Sequence, residues 1–273
     1  MTPVPILLYH CVSETPSRAM RDFTVSAATF TRQLDAVVAS GATALTVSQY
    51  VAARESGSLP ERVVVITFDD GFADFYDTAL TALAQRSLAC TLYVTTGFLG
   101  GHPGPRVSWR PPDPTLEWQQ LRELAAAGIE IGAHSHSHFH LDTLSRGAAH
   151  EEITRCKALL EEEVQTPVRS FAYPNGHASP AVKELVLDAG YKSACGVRNA
   201  LSWEHDDRFQ LARLTVRSTT GYDTFAAWLA GRGAPVAPSR ELLKTRAFRA
   251  YRRGRSLLAR EPGSDFRLPQ RPR

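Results

Sequence analysis

Two adjacent carboxylates, Asp69 and Asp70, and the histidines His134, His136, His138 and His140 are the side chains best suited to chemistry in this sequence. Two histidines and one carboxylate are a standard ligand set for a catalytic zinc, which keeps a fourth position open for water. His134 and His138 stand four apart, the spacing that brings two imidazoles to one side of a helical turn. Each part also has a plainer reading. Asp69-Asp70-Gly71 suits a turn with a helix cap, and a short His-rich tract can bind metal adventitiously. Joint placement favours the metal site, because each group follows a predicted strand.

Those strands are short apolar runs alternating with helix-period segments. Val4–Tyr9 runs into His10, and the β-branched run Val63–Thr67 into Phe68-Asp69-Asp70-Gly71. Ile129–Gly132 precedes the histidines, and Val168–Ala172, with Arg169 at its start, leads into Tyr173-Pro174-Asn175-Gly176. Further strands are expected at Cys90–Thr95, Lys192–Gly196 and Leu211–Val216. Helices are expected after the Ser26 cap, over Ala73–Arg86, from Thr115 to Gly128, over Ala148–Val164, after Ser179-Pro180 and over Tyr222–Ala230. Strand–helix alternation without a central linker predicts one parallel α/β domain, and the length suits a barrel. In such a barrel the active site lies past the C-terminal strand ends. A long Gly/Pro-rich loop, 97–114, reads as functional; His102 and Trp109 within it are candidates for substrate contact.

At this point the chain resembles the polysaccharide deacetylases, also called the NodB-homology family or carbohydrate esterase family 4. Thr67-Phe68-Asp69-Asp70-Gly71 resembles the first family motif, and His134-Ser135-x-x-His138, after Glu130-Ile131-Gly132, the second. Arg169-x-Phe171-x-Tyr173-Pro174-x-Gly176 resembles the third. Leu7-Leu8-Tyr9-His10-x-Val12, Leu116-x-Trp118-x-x-Leu121 and Asp188-Ala189-Gly190-Tyr191 follow the same order, so the likeness covers roughly Ile6 to Leu229. It implies an α/β fold, a single distorted (β/α) barrel of the NodB or TIM-like kind with seven to eight strands. It also implies hydrolytic removal of acetyl groups from N-acetylated sugars with a divalent metal, zinc being the expected ion. Carried over, Asp70, His134 and His138 bind the metal and Asp69 is the general base. Arg169 pairs with Asp69 and keeps it ionised, and the backbone N–H of Tyr173 stabilises the tetrahedral oxyanion. The family commonly takes its general acid from a late Leu-x-His. Here the late strand reads Leu211-Ala212-Arg213, while Leu8-Tyr9-His10 supplies the pattern at the first strand, so His10 is expected to protonate the leaving amine. The same machinery could act on another amide or an ester, and a non-catalytic carbohydrate-binding relative is the reading from a different class.

Composition agrees with a globular enzyme: 273 residues, 43% hydrophobic, 22% charged. No apolar run approaches the roughly 18 residues that span a bilayer, and the start has no basic-then-apolar leader pattern, so a cytoplasmic location is expected. Residues 232–273 hold twelve Lys/Arg and three Asp/Glu, a balance of +9, against −6 for residues 1–231. The expected division is a deacetylase-like domain over 1–231 and a basic tail over 232–273. An acidic body gives no reason to expect nucleic acid. In the tail, Leu242, Leu243, Phe248, Leu257 and Leu258 interleave with arginines, which suits either an amphipathic helix on an anionic membrane surface or a solvated extension. Cys11, Cys90, Cys156 and Cys195 form no Cys-x-x-Cys pair and read as buried free thiols.

Overall fold

The computed structural model describes residues 3–101 and 110–237, with Tyr251 and Gly254 beyond them. Expectations for His102, Trp109 and the membrane contact of the tail lie outside the described residues.

The strands are β1 (Ile6–Tyr9), β2 (Cys11–Val12), β3 (Thr24–Val25), β4 (Thr43–Leu45), β5 (Val63–Phe68), β6 (Thr91–Val94), β7 (Glu130–Ala133), β8 (Ser170–Ala172), β9 (Ser193–Cys195) and β10 (Leu214–Thr215). The helices are α1 (Ala27–Ala39), α2 (Val47–Glu55), α3 (Leu80–Ala84), α4 (Trp118–Ala126), α5 (Arg146–Val164), α6 (Pro180–Asp188) and α7 (Tyr222–Leu229). Eight strands form one parallel sheet in the order β10-β1-β5-β6-β7-β8-β9, with β4 paired to the first half of β5. Leu211 bridges Cys195 of β9, and Leu214 and Thr215 pair with Leu7 and Leu8 of β1. The stretch from Leu211 to Thr215 thus reaches both edges, and the sheet curls into the expected distorted barrel.

Alternation along the strands sorts the core. Leu7, Tyr9, Val64, Ile66, Phe68, Leu92 and Val94 pack outward against helices, including Phe30 and Leu34 of α1 and Ile153 and Leu160 of α5. Ile6, Val63, Val65, Tyr93, Cys195 and Leu211 face the opposite way, where Val47, Tyr50 and Val51 of α2 pack against them. Each fully buried aliphatic side chain contributes roughly 2 kcal/mol. The inward series therefore continues from Ile6 and Leu8 to His10, and from Val63, Val65 and Thr67 to Asp69.

Local signals set most helix starts. Ser26 accepts from the Thr29 N–H, Ser145 from Ala148 and Ser179 from Val182, with Pro180 opening α6. A Thr46–Gln49 capping box starts α2, a helix the sequence reading passed over. The helix expected from Thr115 begins at Trp118, because Thr115 instead bridges Phe72 and donates to the Phe98 carbonyl. The segment expected as one helix from Ala73 opens with a π-type turn, Phe75–Ala79, before α3. The chain also stays packed beyond Gly231: Val236 bridges Leu201, and the Ala237 N–H, on a buried residue, donates to the Leu201 carbonyl. All four cysteines are buried and free. Among the described residues, no helix is long and apolar enough to cross a membrane.

Candidate active site

Phe68 ends β5, and the chain must then turn sharply while keeping two carboxylates on the inner side. Asp70 and Gly71 both adopt left-handed backbone, each with φ 76°. The region is costly for a residue with a Cβ, and such strain concentrates at functional sites. At Gly71 a Cβ would also come within 3.2 Å of Val94 Cγ1. The turn redirects the Asp70 carboxylate toward His134 and His138.

His134 follows β7 directly and continues its inward series. Its Nδ1 lies 2.8 Å from the Ala172 carbonyl. A carbonyl only accepts, so Nδ1 carries the proton and Nε2 is left as a lone-pair donor, the usual arrangement for a metal-binding histidine. His138 arrives differently from the expectation. The spacing of four suggested a helical turn, but Ser135 and His138 are left-handed, with φ 64° and 57°. Ser135 Oγ accepts from the His138 N–H, and the Ser137 N–H donates to Glu152 Oε2 at 2.6 Å. Glu152 of α5, which the sequence reading missed, therefore shapes the loop between the two histidines.

Asp70 Oδ1 lies 3.4 Å from His134 Nε2 and 3.3 Å from His138 Nε2. Ligand atoms of the three residues all fall within 4.8 Å of one another, and all three residues are buried. Asp70 Oδ1 is buried without a hydrogen-bond partner among the described residues. An oxygen lone pair and two imidazoles converging in a buried place fit a divalent cation. Burial alone would raise the Asp70 pKa, but the adjoining imidazoles, His138 above all, hold it well below the usual carboxylate range. Burial also lowers His134, yet Asp69 and Asp70 draw it above its ordinary value.

Asp69 is buried 3.8 Å from His134 Nε2. Its partner corrects the sequence reading. Arg169 is exposed at the start of β8, the end of the barrel away from the site. Arg213, fully buried, instead grips both Asp69 oxygens, Nη1 to Oδ1 and Nη2 to Oδ2, each at 2.7 Å. Its Nε donates to the Gly196 carbonyl and Nη1 also to Thr67 Oγ1. Burial pushes Asp69 toward the protonated form, and the Arg213 guanidinium overcomes it, leaving the pKa below the ordinary value.

Tyr173 is the second correction. Its backbone N–H donates to the Cys195 carbonyl at 3.0 Å, in the β8–β9 ladder, so it is not available to an oxyanion. Its side chain points outward into the core and donates to the Phe209 carbonyl. Two residues on, Asn175 is left-handed, φ 59°, and its buried amide nitrogen has no partner among the described residues.

His10 is half-buried at the end of β1, with Nδ1 sealed from solvent and without a hydrogen bond among the described residues. Burial lowers its pKa, while Asp70 and Asp69 pull the other way. The neighbouring Cys11 thiol is raised strongly by burial and by nearby carboxylates, which makes it a poor nucleophile. His136 hydrogen-bonds Thr96 Oγ1 and is pushed down to about 4 by burial, and His140 lies beside His177. Neither joins the Asp70–His134–His138 group.

Comparisons with known proteins bear on the family and the fold. A family model described as polysaccharide deacetylase matches residues 56–194. The poly-β-1,6-N-acetyl-D-glucosamine N-deacetylase of Staphylococcus epidermidis is 26% identical over 220 residues, covering 76% of this chain and 73% of its own length. YxkH of Bacillus subtilis is 23% identical over 227 residues, covering 83% and 76%. In fold, the Streptococcus pyogenes deacetylase PplD, solved with acetate, superposes with a TM-score of 0.74 at 21% identity, covering 85% of this chain and all of that one.

Proposed function

The chain belongs to the polysaccharide deacetylase family and is a hydrolase, and we propose that it removes N-acetyl groups from a polymer or oligomer of N-acetylglucosamine in a metal-dependent reaction. One observation carries the reading: a buried carboxylate, locked by a bidentate arginine, stands beside a buried Asp-His-His ligand group. The substrate class is taken from the Staphylococcus epidermidis relative.

Asp70, His134 and His138 would hold the metal, zinc being the ion their donor set suits. When bound, such an ion polarises the amide carbonyl and makes water a stronger acid. The protein's own groups do the rest. Asp69 takes the proton of the attacking water; pairing with Arg213 keeps it ionised and fixes the direction of its oxygens. The fixed tautomer of His134 aims Nε2 at the ligand group. His10, reaching the site from the next strand of the sheet, supplies a proton to the departing nitrogen, so that an amine and acetate leave.

Acetate release from N-acetylglucosamine oligomers tests the proposal. The zinc-loaded protein should release acetate and chelator should stop it, with zinc restoring the rate. Asp69→Asn and His10→Gln should each lower kcat by about 10²–10⁴. Acetate release untouched by chelator, or none on any N-acetylated sugar, overturns it.

A further inference from the structure

We propose that Arg217 is a specificity-determining residue that binds an anionic group, a carboxylate or a phosphate, carried by the glycan beside the acetamide being cleaved. The proposal rests on the deacetylase reading of the site below it.

Register places Arg217 at the mouth. Leu214 and Thr215 pair with Leu7 and Leu8, and the Val216 N–H donates to the Leu8 carbonyl, so Arg217 comes level with His10 just beyond the strand ends. A second register brings Phe23 to the same point. Cys11 and Val12 pair in parallel with Thr24 and Val25, which sets Phe23 beside His10, their ring centroids 5.1 Å apart. The Arg217 guanidinium lies over the Phe23 ring, 4.6 Å from its centroid. The Ser218 N–H donates to the Asp22 carbonyl, and the Arg217 N–H to Thr220 Oγ1, fixing both backbones.

The charge on Arg217 has no internal task of the kind Arg213 performs. Among the described residues, no carboxylate forms an ion pair with it, whereas the charge of Arg213, four residues back on the same parity, is fully engaged with Asp69. Arg217 is half-buried, and stacking on an aromatic face fixes the plane of the guanidinium while leaving its N–H edge open. A planar edge of donors matches the two oxygens of a carboxylate or phosphate. Arg217 stands two ring contacts from His10, the residue assigned to protonate the leaving nitrogen, and so beside the place where the acetamide would be held. A neutral glycan would leave that edge to water; an anionic one engages it.

Calorimetric titration of the full-length protein, with zinc and with chelator, decides the matter. The probes are N,N′-diacetylchitobiose, its 6-phosphate, and a disaccharide of the same size bearing a lactyl carboxylate. The wild type should bind at least one anionic probe about tenfold more tightly than the neutral one. Arg217→Gln should bring that ratio near one, and Arg217→Lys should keep part of it, with thermal melting confirming that both variants fold. Separate gains for the phosphate and carboxylate arms identify which anion is read. Equal affinities in the wild type, or a ratio that Arg217→Gln leaves unchanged, overturn the proposal. Acetate release from the neutral probe reports on the deacetylase reading alone, so the two can fail independently.

Discussion

A guanidinium with no exposed surface must be paired on all sides, and Arg213 is paired with Asp69, Thr67 and Gly196. Removing one partner of a buried ion pair leaves the other charge uncompensated, at a cost of about 3–5 kcal/mol. Arg213→Met should therefore lower the denaturation midpoint by that equivalent and reduce kcat by at least about 10²-fold, because Asp69 loses both its charge state and its aim. Arg213→Lys offers one point charge in place of a fork and should recover only part. Arg169→Ala, at an exposed strand start, should stay within about twofold in kcat. Equal losses at Arg169 and Arg213 would sink this assignment. The two arginines show how far the sequence could be read. Both lie within predicted strands, Arg169 in Val168–Ala172 and Arg213 in Leu211–Val216, and only the inward or outward parity and the end of the barrel separate them. The available signal was a charge inside the apolar run Leu211–Val216 on the same parity as inward Leu211, a position that requires a buried partner. The amide of Tyr173 could not be assigned in that way, since its use depends on which strand pairs with β8.

Among the elements, the strands were the most legible, because continuous β-branched runs such as Val63–Thr67 have few alternatives. Helix α2 escaped notice: its apolar contacts are only Val47, Tyr50 and Val51, too few for a periodic signal. The two-stranded ribbon of β2 and β3 escaped too, although it presents His10 and Phe23. Asp74 ties that ribbon to the turn after β5, accepting from the Val12 N–H at 2.6 Å. Burial, opposed by that hydrogen bond and aided by Asp113, raises its pKa from 3.8 to about 6. A carboxyl raised in the folded state holds its proton more tightly there than in the unfolded chain. Its stabilising contribution is thus complete below pH 3.8 and is lost as pH rises through about 6. At about 1.4 kcal/mol per pKa unit, the loss is at most about 3 kcal/mol. Asp74→Asn keeps an acceptor for Val12 and removes the charge. Its melting temperature relative to wild type should climb between pH 4 and pH 7.5; a pH-independent difference would refute the linkage.

At the scale of the whole molecule, the sharp change in charge near residue 232 suggested a division there, and among the described residues packing against the body continues to Ala237. Arg232 to Ala237 return along the body, with Val236 bridging Leu201 and Ala237 buried against Ala200 and Ala212. Charge composition and packing respond to different demands, so a basic stretch can begin before the last core contact is made. Leu201 in turn neighbours Ser202, which exchanges two backbone hydrogen bonds with Val4 just before β1, the strand that ends in His10. A chain truncated after Gly231 loses the cover over this joint, whereas one truncated after Ala237 keeps it. Burying a few alanine- and valine-sized groups is worth about 1–3 kcal/mol, so the shorter truncation product should melt several degrees below the longer one. If the joint also steadies the start of β1, the shorter product should lose more kcat in acetate release than in KM, since His10 rather than the Asp70–His134–His138 group is displaced. Equal melting of the two truncation products would place the boundary back at Gly231.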